Sequence, residues 1–200
     1  MHLFRYISSQ YLDRFLDGAV RFQPLSFYQR HENQLAVGDP HEAIRVFKPA
    51  RGLEVNNLTS GKSFTLEAAF VSSARAEAMF VFCASQVLSP ELACEFASDT
   101  CIEITDVETF SARLQIAVAA EPGSNVLLHR AVSYYDDSDP PIVDWALPDA
   151  ILMSKRAFYR RQCEYRFAFT ERGFFRQRGA YMALWCMSGK WIFTACAGAR

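Results

Sequence analysis

Gln162-Cys163-Glu164-Tyr165-Arg166-Phe167-Ala168-Phe169 is the stretch whose reading decides the fold. Successive side chains of a strand point to opposite faces. Read as a strand, the stretch sets Gln162, Glu164 and Arg166 on one face and Cys163, Tyr165, Phe167 and Phe169 on the other. The aromatic side is a core face. The other side holds a carboxylate between an amide and a guanidinium, which makes it either a surface charge ladder or the floor of a site. Immediately before it, Lys155-Arg156-Ala157-Phe158-Tyr159-Arg160-Arg161 is basic and aromatic. A helix starting at Pro148 or Asp149, with Ile151, Leu152 and Phe158 as its apolar members, is expected to run to about Arg160.

The rest of the composition supports a filled core. The 200 residues are 50% hydrophobic with 17 Phe, consistent with one globular domain over 1–200. A net charge of −1 argues against a generally basic nucleic-acid binder, while Arg156, Arg160 and Arg161 supply a local basic patch. The six Cys include no Cys-x-x-Cys pair, and most lie in apolar runs, as free buried thiols do. With no signal peptide, a reducing, cytoplasmic setting is expected. Neither Cys nor His has zinc-ligand spacing, so no metal is expected. No apolar run reaches the ~18 residues of a membrane span.

Upstream, Leu3 to Ile7 reads as a first strand, with Arg5 on the face of Leu3 and Ile7. A helix carrying Tyr11, Leu12, Phe15 and Leu16 follows and stops at Gly18. Ala19 to Gln23 is a short second strand. Asp39 before Pro40 caps either a helix or a turn. Phe64 to Val71 reads as a strand after a hairpin loop near Thr59 to Lys62. Ala78 to Ser85 is a continuous apolar run, the mark of a buried strand, with Ser85 at its end. Thr100 to Thr105 is another strand. Thr105 and Glu108 have capping-box spacing ahead of a helix with Val107, Phe110, Leu114 and Ala117 or Val118 on one stripe, ending near Pro122-Gly123. Asn125 to Tyr135 reads as a strand, Asp136 to Pro141 as an acidic loop, Thr170 to Gly179 as a basic loop, and Tyr181 to Ala195 as a hairpin around Ser188-Gly189-Lys190. Strands outnumber helices and do not alternate with them. This predicts an α+β fold on a mixed, mostly antiparallel sheet. There is no phosphate loop, dinucleotide fingerprint, nucleophile elbow or His-Glu-x-x-His motif.

Three features can carry chemistry: Arg5, Ser85 and Gln162-x-Glu164. A guanidinium pairs bidentately with phosphate oxygens. A hydroxyl orients a carboxylate. A carboxylate stabilises an oxocarbenium-like transition state and accepts a hydrogen bond from ribose.

Their order along the chain resembles the Arg–Ser–Glu class of mono-ADP-ribosyltransferases. Leu3-Phe4-Arg5 is similar to that class's opening Leu-Tyr-Arg, Cys83-Ala84-Ser85 keeps the last serine of its Ser-Thr-Ser, and Gln162-Cys163-Glu164 fits its Gln-x-Glu form. The resemblance implies an ADP-ribosyltransferase-like sheet core and NAD as substrate. It implies that Arg5 contacts the NAD phosphates, with Tyr6 or another aromatic residue lining the nicotinamide pocket. Ser85 would support Glu164, Glu164 would bind the ribose and promote cleavage, and Gln162 would position a non-arginine acceptor, a protein side chain or a nucleobase.

A second resemblance covers more of the chain. Leu3-Phe4-Arg5-Tyr6, Asp17-Gly18, Asp39-Pro40-His41-Glu42, Cys83-Ala84-Ser85 and Lys155 through Tyr159 to Gln162-Cys163-Glu164-Tyr165-Arg166 match, in order, a bacterial and phage family of small domains of unknown function. Its members carry Leu-Tyr-Lys-Tyr, Asp-Pro-x-Glu, Cys-x-Ser and Lys-x-x-x-Tyr-x-x-Glu-x-Glu-Tyr-Arg, and Gln162 stands where that family has the first Glu. Together the two resemblances set Arg5, Tyr6, Ser85, Tyr159 and Arg166 as expected NAD contacts and Glu164, Gln162 and Ser85 as expected catalytic residues, in a bacterial or phage toxin or defence effector. The alternative is a non-catalytic module binding nucleotide, nucleic acid or protein. A structural interaction protein would instead show an exposed apolar patch and no polar cleft. Taken singly, each residue also has an ordinary reading: Arg5 as a surface or ion-paired side chain, Ser85 as a turn former, and Glu164 as the salt-bridge partner of a neighbouring Arg.

Overall fold

The computed structural model describes residues 1–30, 38–121, 126–142 and 144–170, with the backbone of Tyr181–Ala183 and Phe193–Cys196. The fold is α+β, built on a seven-stranded antiparallel sheet. Its strands are β1 (Leu3–Ile7), β2 (Gln23–Pro24), β3 (Met79–Ser85), β4 (Thr100–Ile104), β5 (Leu128–Ala131), β6 (Glu164–Thr170) and β7 (Phe193–Cys196). The order across the sheet is β5-β6-β3-β1-β4-β7, and β2 also pairs with β3.

Burial on both faces explains why β3 and β6 are central. Phe80, Phe82 and Ala84 of β3 and Tyr165, Phe167 and Phe169 of β6 enter one apolar cluster, while Met79, Val81 and Ala168 enter a second on the opposite face. Their register sets Phe167 opposite Phe82 and Phe169 opposite Phe80. The helix Val107–Ala120 covers the first face. The short helices are α1 (Leu12–Leu16), α2 (Leu25–Arg30), α3 (Pro90–Glu95) and α5 (Pro148–Leu152), with α4 (Val107–Ala120) the longest among the described residues. Val107, Phe110, Leu114 and Val118 of α4 pack into the same cluster as Phe82 and Phe167, as a stripe at helical spacing requires.

Several expected elements take a different form. The helix expected up to Arg160 stops at Leu152; Ser154–Arg156 is a strand, pairing in parallel with Ser133–Tyr135, and Ala157–Gln162 is a 3₁₀ helix. β6 starts at Glu164, because Cys163 is in the left-handed region at φ 42°, ψ 49° and breaks the ladder before Gln162. The α4 cap is Asp106, not Thr105: its carboxylate accepts from the Thr109 backbone N–H (2.9 Å) and hydroxyl (2.7 Å). Asp39 caps a turn, accepting from the His41 backbone N–H at 2.9 Å. The expected 64–71 strand divides into Ser63–Leu66 and Phe70–Ser73, and the 125–135 strand into β5 and Ser133–Tyr135. Tyr181–Ala183 pairs with Ala19–Arg21 and β7 with β4, so the two segments of the expected terminal hairpin join different neighbours. The 170–179 loop beyond Thr170, the 188–190 turn and the Pro122-Gly123 stop lie outside the described residues. No helix among the described residues is long and apolar enough to cross a membrane.

Candidate functional site

The site forms where the sheet divides. One edge of β3 is shared: β1 pairs with it at Phe4 and Ser85, and β2 pairs at Val81 and Phe80. Between these contacts the backbone from Phe82 to Ala84 borders a cavity of about 350 Å³, a volume within the range of small-molecule sites. Side chains from both faces of the sheet reach it. Phe82 and Ala84 come from the α4 side, and Cys83, Ser85, Glu164 and Arg166 from the other. Tyr11, Phe27, Tyr28 and Phe96 add aromatic walls.

Arg5, Ser85, Gln162 and Glu164 all line this cavity. Arg5 lies on the face of Leu3 and Ile7 and turns into the division, where its Nη1 donates to the Cys83 carbonyl at 2.6 Å and its guanidinium sits 5.1 Å from the Phe82 ring centroid. Its Nε is buried without a hydrogen-bond partner, and no carboxylate among the described residues pairs with it. Cations on the cavity wall (Arg5, Arg14, Arg21, Lys155 and Arg166) outnumber carboxylates (Glu42 and Glu164). The electrostatics therefore suit an anionic ligand.

The floor is a buried four-membered ion network. Arg166, 1% exposed, donates through Nε to Glu164 Oε1 at 2.5 Å, through Nη1 and Nη2 to both Glu42 oxygens at 3.1 and 2.5 Å, and through Nη1 to the Leu152 carbonyl at 2.8 Å. Lys155 donates to Glu164 Oε2 at 3.0 Å and to Gln162 Oε1 at 2.9 Å, and its ammonium lies 3.7 Å from Glu42 and 4.5 Å from the Tyr159 ring centroid. Two carboxylates and two cations balance, as burial demands. Burial alone would raise the Glu164 carboxyl, but Arg166 and then Lys155 reverse the effect and hold it well below the usual carboxylate range. Glu42 moves the other way: its burial outweighs the same two cations and pushes it up. Burial and the nearby Glu164 push the Cys83 thiol up to about 12. A thiol held up in this way stays protonated beside Glu164 and is a poor nucleophile.

The expected contacts are redistributed. Ser85 does not hold the Glu164 carboxylate. Its hydroxyl donates to the Gln162 carbonyl at 2.8 Å and accepts from the Val87 backbone N–H at 3.1 Å, because Ser85 opens the turn after β3. Gln162 is not a strand neighbour of Glu164, yet Lys155 brings the two side chains together. Arg166 lines the cavity with its donors committed to Glu42, Glu164 and Leu152, which makes it a brace for the carboxylates. Tyr159 lies outside the lining; its hydroxyl donates to the Gly38 carbonyl at 3.0 Å, and its ring supports Lys155. Tyr6 lines the cavity while its hydroxyl bridges the Val87 carbonyl and the Ser89 N–H. Arg156 and Arg161, of the basic patch, pair with Asp137 and Glu95.

Two residues of the floor carried no role in the sequence reading. Glu42 is brought in by the turn after Asp39, and Lys155 by the strand Ser154–Arg156. Both stand in the ordered motifs Asp-Pro-x-Glu and Lys-x-x-x-Tyr, which was the signal available for them. Among the described residues no cluster of His, Cys, Asp and Glu is arranged to hold a metal ion. No protein-family model matches the chain, and no curated protein and no solved structure matches it.

Proposed function

We propose that the divided sheet is an NAD site and that the chain is an ADP-ribosyltransferase-like enzyme acting on a non-arginine acceptor, a protein side chain or a nucleobase. One observation carries this reading: Arg5, Ser85 and Gln162-x-Glu164, remote in sequence, come from or flank three adjacent strands and line one cavity. Arg5 supplies a cation with an unpartnered buried N–H, suited to a phosphate oxygen. Glu164 supplies an ionised carboxylate. A carboxylate offers about four lone-pair positions; Arg166 and Lys155 occupy two, which leaves room to accept from a ribose hydroxyl.

In the proposed reaction the bond between ribose C1 and the nicotinamide nitrogen breaks. Its electron pair leaves on the nicotinamide, which loses its formal positive charge. Positive charge develops on the ribose, near Glu164. A lone pair of the acceptor then forms the new bond to C1, and the acceptor's proton passes to water.

A second reading, binding of an anionic nucleotide without turnover, is favoured by the two cations on Glu164, which offset the charge that would stabilise an oxocarbenium ion. Incubation with NAD labelled in its nicotinamide, with and without candidate acceptors, separates the two. Release that falls on the order of 10²–10³-fold in Glu164→Gln supports the enzyme. Calorimetric binding that Arg5→Met weakens, without release, supports the binding module. Neither release nor binding sinks both.

A further inference from the structure

In a continuous strand, side chains two residues apart share a face because the backbone puts them there. That is how Gln162 and Glu164 were expected to meet. The backbone does not do this here: Cys163 is left-handed, Gln162 closes a 3₁₀ helix, and Glu164 opens β6. The two side chains still converge, and the group between them is the Lys155 ammonium, 2.9 Å from Gln162 Oε1 and 3.0 Å from Glu164 Oε2.

We propose that Lys155 is the positioning residue of this site: it holds the Gln162 amide and the Glu164 carboxylate side by side at the cavity floor, in place of the strand geometry that Cys163 interrupts. The inference rests on the NAD reading for its catalytic consequence and on geometry for the clamp itself. Lys155 is suited to the task. It is 7% exposed, its strand is fixed by pairing with Ser133–Tyr135, and the Tyr159 ring and Glu42 confine the ammonium on its other sides. An ammonium donates three hydrogen bonds, so it can span two acceptors and still face a third. Burial would lower the Lys155 pKa, but Glu164 and Glu42 more than reverse that and favour its cationic form.

The clamp also acts on the carboxylate's charge. Arg166 faces Glu164 from its own strand, Cys83 from β3, and Lys155 from the Ser154–Arg156 strand. Tyr134 accepts from the Glu164 backbone N–H, and Tyr28 and Glu42 complete the ionisable surroundings. Of these, Arg166 and Lys155 are the cations bonded to the carboxylate. Removing Lys155 leaves Arg166 alone to oppose the burial.

The test is Lys155→Met in protein carrying ¹³C-carboxyl glutamate, with the Glu164 resonance assigned by its loss in Glu164→Gln. The expected result is a Glu164 titration moved upward by about one pH unit or more, the equivalent of one lost charge contact. With it, kcat for nicotinamide release falls by at least about tenfold while KM for NAD changes little, as for an interaction that matters in the transition state. If Lys155→Met does not fold, Lys155→Met with Glu42→Gln keeps the site charge-balanced, and its Glu164 titration is compared with that of Glu42→Gln alone. An unmoved Glu164 titration, or a change confined to KM, overturns the proposal. Wild-type protein that releases no nicotinamide, with the titration moving as expected, sinks the NAD reading and leaves the clamp standing.

Discussion

Arg166 shows how a residue that looks like an ordinary strand charge becomes the brace of a site. It is among the largest fully buried side chains, and its guanidinium is shared between Glu42 and Glu164. A buried ion pair adds little net stability over a well-packed apolar pair, but removing one partner strands the other charge at a cost of about 3–5 kcal/mol. Glu42→Ala is therefore expected to lower stability by about 3–5 kcal/mol in urea or thermal unfolding. Glu42→Leu with Arg166→Met should cost less than the two single losses added, because it removes both charges together. Additive losses would show that the pair is not coupled. Glu42 could not be assigned from sequence because it lies at the end of a turn and carries no periodic signal. Its role depends on an arginine 124 residues further along the chain.

At the scale of the element, the turn at Cys163 matters most. A side-chain-bearing residue in the left-handed region costs roughly 1–2 kcal/mol, and β-branched residues fare worst there. Cys163→Val is expected to destabilise by about that amount and to disturb the register of Gln162, whereas Cys163→Gly should be close to neutral. Equal effects of the two variants on thermal unfolding would contradict the left-handed assignment. Helix α4 offers a control remote from the cavity: Asp106→Ala removes a cap that satisfies the Thr109 N–H and should cost about 1 kcal/mol with no effect on any ligand binding in the cavity. α4 was legible from its apolar spacing, and β1 and β3 from their apolar runs, because one periodicity dominates each. The start of α5 at Pro148 was legible too, but the segment from Met153 to Gln162 was not. Its residues allow a helix, but Lys155 is drawn into the ion network and Ser154–Arg156 into pairing with Ser133–Tyr135, and these contacts outweigh local propensity.

Over the whole molecule, the network links stability to pH. Glu164 has a folded pKa below its unfolded value, so its contribution is complete above an unfolded carboxyl pKa of about 4.3 and is lost as pH falls toward the folded value. Glu42, raised by burial, contributes with the opposite sign: its share is present at low pH and is lost as pH rises through its folded value. The wild type is expected to lose denaturant resistance on acidification below about pH 4. Glu164→Gln should show a smaller acid loss from a lower starting stability; an identical acid slope in the two proteins would exclude Glu164 as its source.

The sequence by itself determined the α+β class, the aromatic face of β6, and the chemical identity of the groups that could form a site: Arg5, Ser85, Gln162 and Glu164. The class and the aromatic face follow from local alternation and composition, which act within a few residues; the four site groups were picked out by their chemistry and by their order along the chain. The tertiary structure alone decided that β1 and β2 share one edge of β3 and leave a cavity between them. It also decided that Ser85 serves a backbone carbonyl, and that Lys155 holds Gln162 beside Glu164. Burying Glu42, Glu164, Lys155 and Arg166 together is favourable only when all four meet, and no local pattern in the chain encodes that meeting.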